Sequence, residues 1–265
     1  MRIWFLGALV LLLDLSAPPL CARMVDDLYK AQSVVTGTEE PERTRGFREA
    51  FETVVAKLTG DAKLASDPRI QGLTATPHRF VETFEYEDRM KDIPVHDEQG
   101  TRERPHFLRV TFSRTAIDDA LQRLGIAEWP PNRPVVAVWL GVETAQGHFI
   151  LTDSGPEGYG QRAVLTETAS RLGLPIVLPS AARGTVDFDQ IATDRISSLR
   201  AAAPQADSHL VGRLTVRSDG YWDIAWTFHA PRDVRRWSLS QATFDAALKQ
   251  GLANAAGTLS GAIGK

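Results

Sequence analysis

The 265-residue chain holds one cysteine, Cys21, and only three methionines. A single thiol excludes an intramolecular disulfide framework and a cysteine-rich zinc site. Charge of either sign is not in excess: 30 Lys and Arg stand against 33 Asp and Glu, a formal net charge of −3. No basic surplus therefore points to nucleic acid or to an anionic lipid surface. Beyond the N-terminal segment, no apolar run approaches the roughly 18 residues that a membrane-spanning helix needs. Internal repeats and low-complexity tracts are absent. With 43% hydrophobic and 24% charged residues, the composition is that of an ordinary globular chain, which excludes disorder and a multi-pass membrane protein.

Catalytic signatures are equally scarce. The histidines His78, His96, His106, His148, His209 and His229 never recur at i, i+2 or i, i+4, and HExxH is missing. They are expected as exposed or satisfied residues at strand ends. No GxSxG nucleophile elbow occurs. Asp187-Phe188-Asp189 has the form of a metal-holding DxD, but it directly precedes a predicted helix, where acidic residues cap free N–H groups. Glu82, Glu85, Glu87 and Asp88 fall on one predicted strand, with Arg102, Arg104 and Arg109 opposite. Cross-strand ion pairs are expected there rather than a glycosidase carboxylate pair. No catalytic residue, metal or cofactor is assigned.

What is present starts with an address. Arg2 precedes an apolar run from Ile3 to Leu13, and Pro18-Pro19 then breaks any helix. Residues 1–22 read as a signal peptide cut between Ala22 and Arg23, which predicts a periplasmic protein whose mature chain lacks cysteine. Acylation of Cys21 as a lipoprotein is the lesser alternative, because Pro18-Pro19-Leu20 stands where that chemistry prefers small residues.

Residues 24–128 read as a first module. Leu28 to Val35 is a predicted strand, and Phe47, Ala50, Phe51, Val54, Val55 and Leu58 form one stripe of a helix with Gly60 as its C-cap. Phe80 to Met90 and His106 to Phe112 follow as strands joined through Gln99-Gly100, and a helix over Ile117 to Leu124 closes the module at Gly125. Residues 129–134, with Pro130, Pro131 and Pro134, suit a stiff, extended linker.

The second module covers 135–265. Val135 to Val142 turns through Ala145-Gln146-Gly147 into His148 to Leu151. A helix from Glu157 to Leu172 then ends at Gly173, and Ile176-Val177-Leu178 makes a short strand. A weaker helix covers Phe188 to Leu199. Alternation from Leu210 to Arg217 then meets Asp219-Gly220, read as a two-residue hairpin turn with positive φ at both residues. The return strand puts Trp222, Ile224, Trp226 and Phe228 on one face, expected as core rather than as a stacking surface. Val234 to Leu239 adds a strand, and Ser238 to Gln241 has capping-box spacing for a terminal helix. The fold class is α+β: two small modules, each an antiparallel or mixed sheet with helices packed on one face.

One loop carries a ligand-binding reading. Ser154 and the glycines Gly155, Gly158 and Gly160 precede a helix and resemble a phosphate-cradling loop, though without GxGxxG or Walker spacing. Ser154 near the N-cap and Pro156 in the first turn also fit an ordinary helix start.

Ordered blocks along the chain resemble a known family. Leu28-Tyr29, Ala50-Phe51, Lys57-Leu58-Thr59-Gly60, Arg133-Pro134, Val138-Trp139-Leu140 and Gly173-Leu174-Pro175 come first. Ala206-Asp207, Leu210-Val211-Gly212-Arg213 and the pair Trp222 and Trp226 follow. Together they are similar to the domain of unknown function 2066 family, secreted proteins of proteobacterial envelopes. That resemblance implies an envelope location and no known catalytic residues. The expected function is non-enzymatic binding or assembly, with another envelope protein as partner. An envelope hydrolase or transferase sited between the modules, and a small-ligand protein using the 154–160 loop, are the alternatives.

Overall fold

The computed structural model describes residues 22–92, 103–182 and 186–263. The signal-peptide reading of 1–22, with Cys21, lies almost wholly outside the described residues, as do the Gln99-Gly100 connection and Arg102. Ala22 and Arg23 are described. The elements in chain order are β1 (Arg23–Met24), β2 (Lys30–Thr36), α1 (Glu40–Thr59), α2 (Pro68–Thr74), β3 (Val81–Asp88), β4 (Pro105–Phe112), α3 (Arg114–Arg123) and β5 (Asn132–Arg133). There follow β6 (Val136–Thr144), β7 (Gly147–Ile150), α4 (Tyr159–Leu172), β8 (Ile176–Val177), α5 (Phe188–Ala192), α6 (Ile196–Ala202), β9 (Ser208–Val216), β10 (Trp222–His229), β11 (Val234–Ala242) and α7 (Phe244–Ser260). The class is α+β.

The first sheet is antiparallel in the order β2-β4-β3. All six stripe residues of α1 are buried against it. Phe51 sits 4.8 Å from Phe80 and 5.9 Å from Phe112 between ring centroids. Gly60 ends the helix at φ 68, the left-handed conformation that glycine adopts without strain. The cross-strand charge pairs form: Arg109 reaches Glu85 at 3.6 Å and also bonds Glu87, and Arg104 meets Asp88 at 3.2 Å.

The second sheet runs β11-β10-β9-β6-β7, with β8 also on β6. Strand β6 is parallel to β8 and β9, and the other pairs are antiparallel, so the sheet is mixed. Val136, Val138, Leu140 and Val142 face the α4–α7 side, in a core with Leu165, Leu248 and Leu252. Helices also cover the opposite face: Ala137, Trp139 and Val211 pack with Ile191 of α5 and Leu199 of α6. The buried run at the start of β6 is what a strand covered on both faces requires.

Three local expectations are corrected. The helix foreseen over Phe188 to Leu199 is two short helices, because Asp194 takes φ 51 between them, a conformation Asp tolerates better than most residues. Ser238 to Gln241 lies in β11, and the terminal helix is capped instead by Thr243, whose side chain accepts from the Ala246 N–H at 3.2 Å. The hairpin loop holds three residues: Arg217 N–H donates to Tyr221 O, Gly220 N–H donates to Arg217 O, and Gly220 alone has positive φ. That is a turn followed by a left-handed glycine, the next commonest hairpin closure.

Trp226 is 1% exposed and donates from Nε1 to Ala247 O at 3.2 Å. Gly212 and Gly251 lie against its ring, and a Cβ on Gly212 would come within 2.3 Å of it. Gly212→Ala is therefore expected to destabilise the protein by about 1–3 kcal/mol through overpacking. Urea denaturation followed by tryptophan fluorescence measures it, and an unchanged midpoint would refute the packing account.

The proline-rich segment is packed into the structure. Trp129 is 6% exposed and donates its backbone N–H to Leu58 O at 2.7 Å, while β5 pairs with β1. Arg133 is wholly buried and stacks over the Trp129 ring at 4.1 Å. Its guanidinium donates to Lys57 O (2.7 Å) at the end of α1 and to Leu172 O (3.2 Å) and Gly173 O (2.8 Å) at the end of α4. One cation thus caps two helix C-termini, where carbonyls lack intrahelical partners and the macrodipole is negative.

Candidate functional site

A cleft of about 1280 Å³ opens where the edge strand β2 and the α1 residues Glu49, Thr53 and Lys57 face α4. Contact between α1 and α4, held by Arg133 beneath, sets the spacing of its walls. On the α4 side lie Tyr159, Arg162, Thr166 and Ser170, and Ile176 and Leu178 give it an apolar end.

Its ionisable groups are largely engaged. Lys57 is buried and donates from Nζ to Lys30 O at 2.7 Å and Asp27 O at 3.2 Å. Burial holds its ammonium pKa below the usual lysine range, against the opposing pull of Asp27. Glu49 is paired with Arg45 at 2.5 Å and Glu167 with Arg171 at 3.9 Å. Asp153 accepts from Ala181 N–H at 3.1 Å and from Ser154 Oγ at 2.9 Å, and the first of these bonds does most to lower its pKa. Glu49 and Asp153 are acceptors already in use, and Glu167 stands in a long, exposed ion pair. A general acid needs a carboxylate whose environment favours the protonated form.

The candidate loop residues border this cleft without lining it. Ser154 does not cap α4. The helix starts at Tyr159, after Gly158 at φ 70, with no side-chain cap. Glycine is required at 158, since a Cβ there would sit 2.3 Å from Leu151 Cδ1. Gly155 also has positive φ, and Gly160 lies in the first turn of α4 with Phe244 beside it. The loop's carbonyls turn toward Arg162, which donates to Gly155 O and Glu157 O, each at 2.5 Å. A phosphate cradle presents N–H groups, whereas this loop presents oxygens to a cation.

Asp187 caps α5 by a reciprocal capping box with Gln190. Among the described residues no group of His, Cys, Asp or Glu could hold a metal ion. No helix among them is long and apolar enough to cross a membrane.

Two polar pairs, side by side across β9 and β10, went unrecognised in the sequence. Trp139 Nε1 donates to His209 Nδ1 at 3.1 Å, and His209 is directly opposite His229 across β9 and β10. His229 Nε2 lies 2.8 Å from Asp194 Oδ1. The Trp139 bond fixes the neutral His209 ring with its proton on Nε2. Asp194 at its left-handed position ties the turn between α5 and α6 to the sheet. Both histidines are buried, and the His229–Asp194 pair anchors these helices to the sheet. Correct hairpin register was the signal that would have paired them.

A family model described as Domain of unknown function (DUF8605) matches residues 22–130. This corrects the likeness to the domain of unknown function 2066 family, which is a different domain. The quoted blocks misled for a physical reason. Lys57-Leu58-Thr59-Gly60 is a helix end with a glycine cap, and Val138-Trp139-Leu140 is a core strand, features that many α+β proteins share. No curated protein matches the chain. The matched segment runs from the start of β1 through the strands of the first sheet to Pro130, three residues short of the buried Arg133.

Proposed function

We propose that this is an exported, periplasmic protein that acts by binding another component of the cell envelope, without catalysis of its own. The observation carrying the reading is the cleft between β2 and α4, sized for a ligand or a peptide, whose three carboxylates are each already engaged by a neighbour. Export rests on the Arg2 to Ala22 pattern of charge, apolar run and small cleavage residue. Two measurements test the proposal together. Fractionation of intact cells should return the chain in the periplasm. A photo-crosslinking side chain at Thr166 should capture a discrete partner that the same group at exposed Val234 does not. Turnover of an envelope metabolite by the purified protein, lost on replacing a cleft side chain, would overturn it.

A further inference from the structure

Strand β2 is an edge of the first sheet, and its outward main-chain groups are treated unevenly. Phe112 N–H donates to Tyr29 O and Gly37 N–H to Arg104 O, so the odd-numbered residues of β2 bond β4 and the even-numbered ones point away. At the ends of that outward row, α1 supplies caps. Lys57 Nζ takes Lys30 O, Arg45 Nη2 takes Val34 O at 2.9 Å, and Glu42 accepts from Thr36 N–H at 3.0 Å. Between them Gln32 N–H, Gln32 C=O and Val34 N–H have no partner among the described residues. Gln32 is exposed and Val34 is 42% exposed, and both line the cleft.

Resting on the cleft reading above, we propose that an extended, acidic segment of a partner protein lies in this cleft and adds as a strand to β2 over Gln32–Val34. A row of donor and acceptor spaced along a strand is matched by another extended backbone. Natural edges are normally blunted, and here the caps leave Gln32 and the Val34 N–H open. Because α4 forms the opposite wall, the sheet of a second copy would meet that helix, whereas a single extended segment would lie between the two walls. Charge sets the acidic preference. Arg89, stacked on Phe107, and Arg162, spent on carbonyls, have no carboxylate partner among the described residues, while the lining carboxylates are engaged.

The test uses two synthetic peptides of about ten residues, one alternating valine with glutamate and the other valine with lysine, titrated into the whole protein. Amide exchange and chemical shifts are read by NMR. The glutamate peptide should slow exchange at Gln32 and Val34 and bind at least tenfold more tightly than the lysine peptide. Val34→Pro removes one outward N–H without touching the ladder to β4, and should weaken binding tenfold or more. Gln32→Ala changes only the side chain and should alter affinity less than twofold. Arg45→Ala uncovers Val34 C=O and should tighten binding, which keeps the test decisive if the proline variant fails to fold. Shifts at Thr166 and Ser170 without protection of Gln32 and Val34 would overturn strand addition and leave the cleft reading standing. Binding away from both walls, or of neither peptide, would overturn strand addition and count against the cleft as well.

Discussion

Arg133→Met is expected to lower the unfolding free energy by about 3–5 kcal/mol, a larger loss than any surface substitution should cause. The change removes the partner of Lys57 O, Leu172 O and Gly173 O in one step, together with weaker bonds to Pro130 O and Trp129 O. Each buried carbonyl left without a donor costs about 1–3 kcal/mol, partly recovered where water can reach it. Methionine keeps much of the side-chain volume, so the loss reports bonding rather than a cavity. Burial already lowers the guanidinium pKa to about 10, which shows how far this cation is withdrawn from water. Midpoint temperature should fall by roughly 10 °C for a chain of this size. Arg133→Lys should recover little, since one ammonium cannot reach the ends of α1 and α4 together. Urea and thermal denaturation measure the effect, and a loss below about 1 kcal/mol would refute the two-helix cap.

The second large effect is a loss of stability in mild acid that runs through His209. Burial, with Arg200 and His229 adding repulsion, pushes its pKa from 6.5 down to about 4. The unfolded chain therefore binds a proton between those values that the folded chain refuses. Stability is complete above about pH 6.5 and is lost as pH falls toward 4, by up to about 3 kcal/mol. His209→Gln keeps an acceptor for Trp139 Nε1 but cannot titrate. Carboxylates elsewhere titrate in both proteins and cancel in the difference. Between pH 7.5 and pH 4.5 the stability of the natural protein relative to this variant should therefore drop by about 2–3 kcal/mol in urea titrations. Parallel curves would show that His209 does not carry the acid sensitivity.

Elements with strong local causes were legible from the sequence. The α1 stripe and its Gly60 cap, the alternation of β4, the glycine at the end of α4 and the Trp226 face all appear where their periodicity places them. Misreadings fell where two local signals competed. Ser238 and Gln241 have cap spacing, yet the pairing of Ser238 with Ala225 outweighs a cap and holds them in β11. Asp219-Gly220 favours a two-residue turn, and the observed three-residue loop shifts the register by one. That shift brings His209 opposite His229. The cleft was invisible because its walls, β2 and α4, are more than a hundred residues apart in sequence. Ser154, Gly155, Gly158 and Gly160 drew attention as a motif, while the adjacent Arg162 decides what the loop offers a ligand.

By itself the sequence determined the α+β class, most strands and helices, and the absence of a cysteine framework, because these follow from composition and from periods of 2 and 3.6 residues. Only the tertiary structure decided that Arg133 caps two distant helices, that Trp139 meets His209 and Asp194 meets His229 in two polar pairs side by side across β9 and β10, and that β2 keeps an open window beside α4. Each of these depends on hydrogen bonds between residues far apart in the chain, and no local pattern records which distant donor will meet which acceptor.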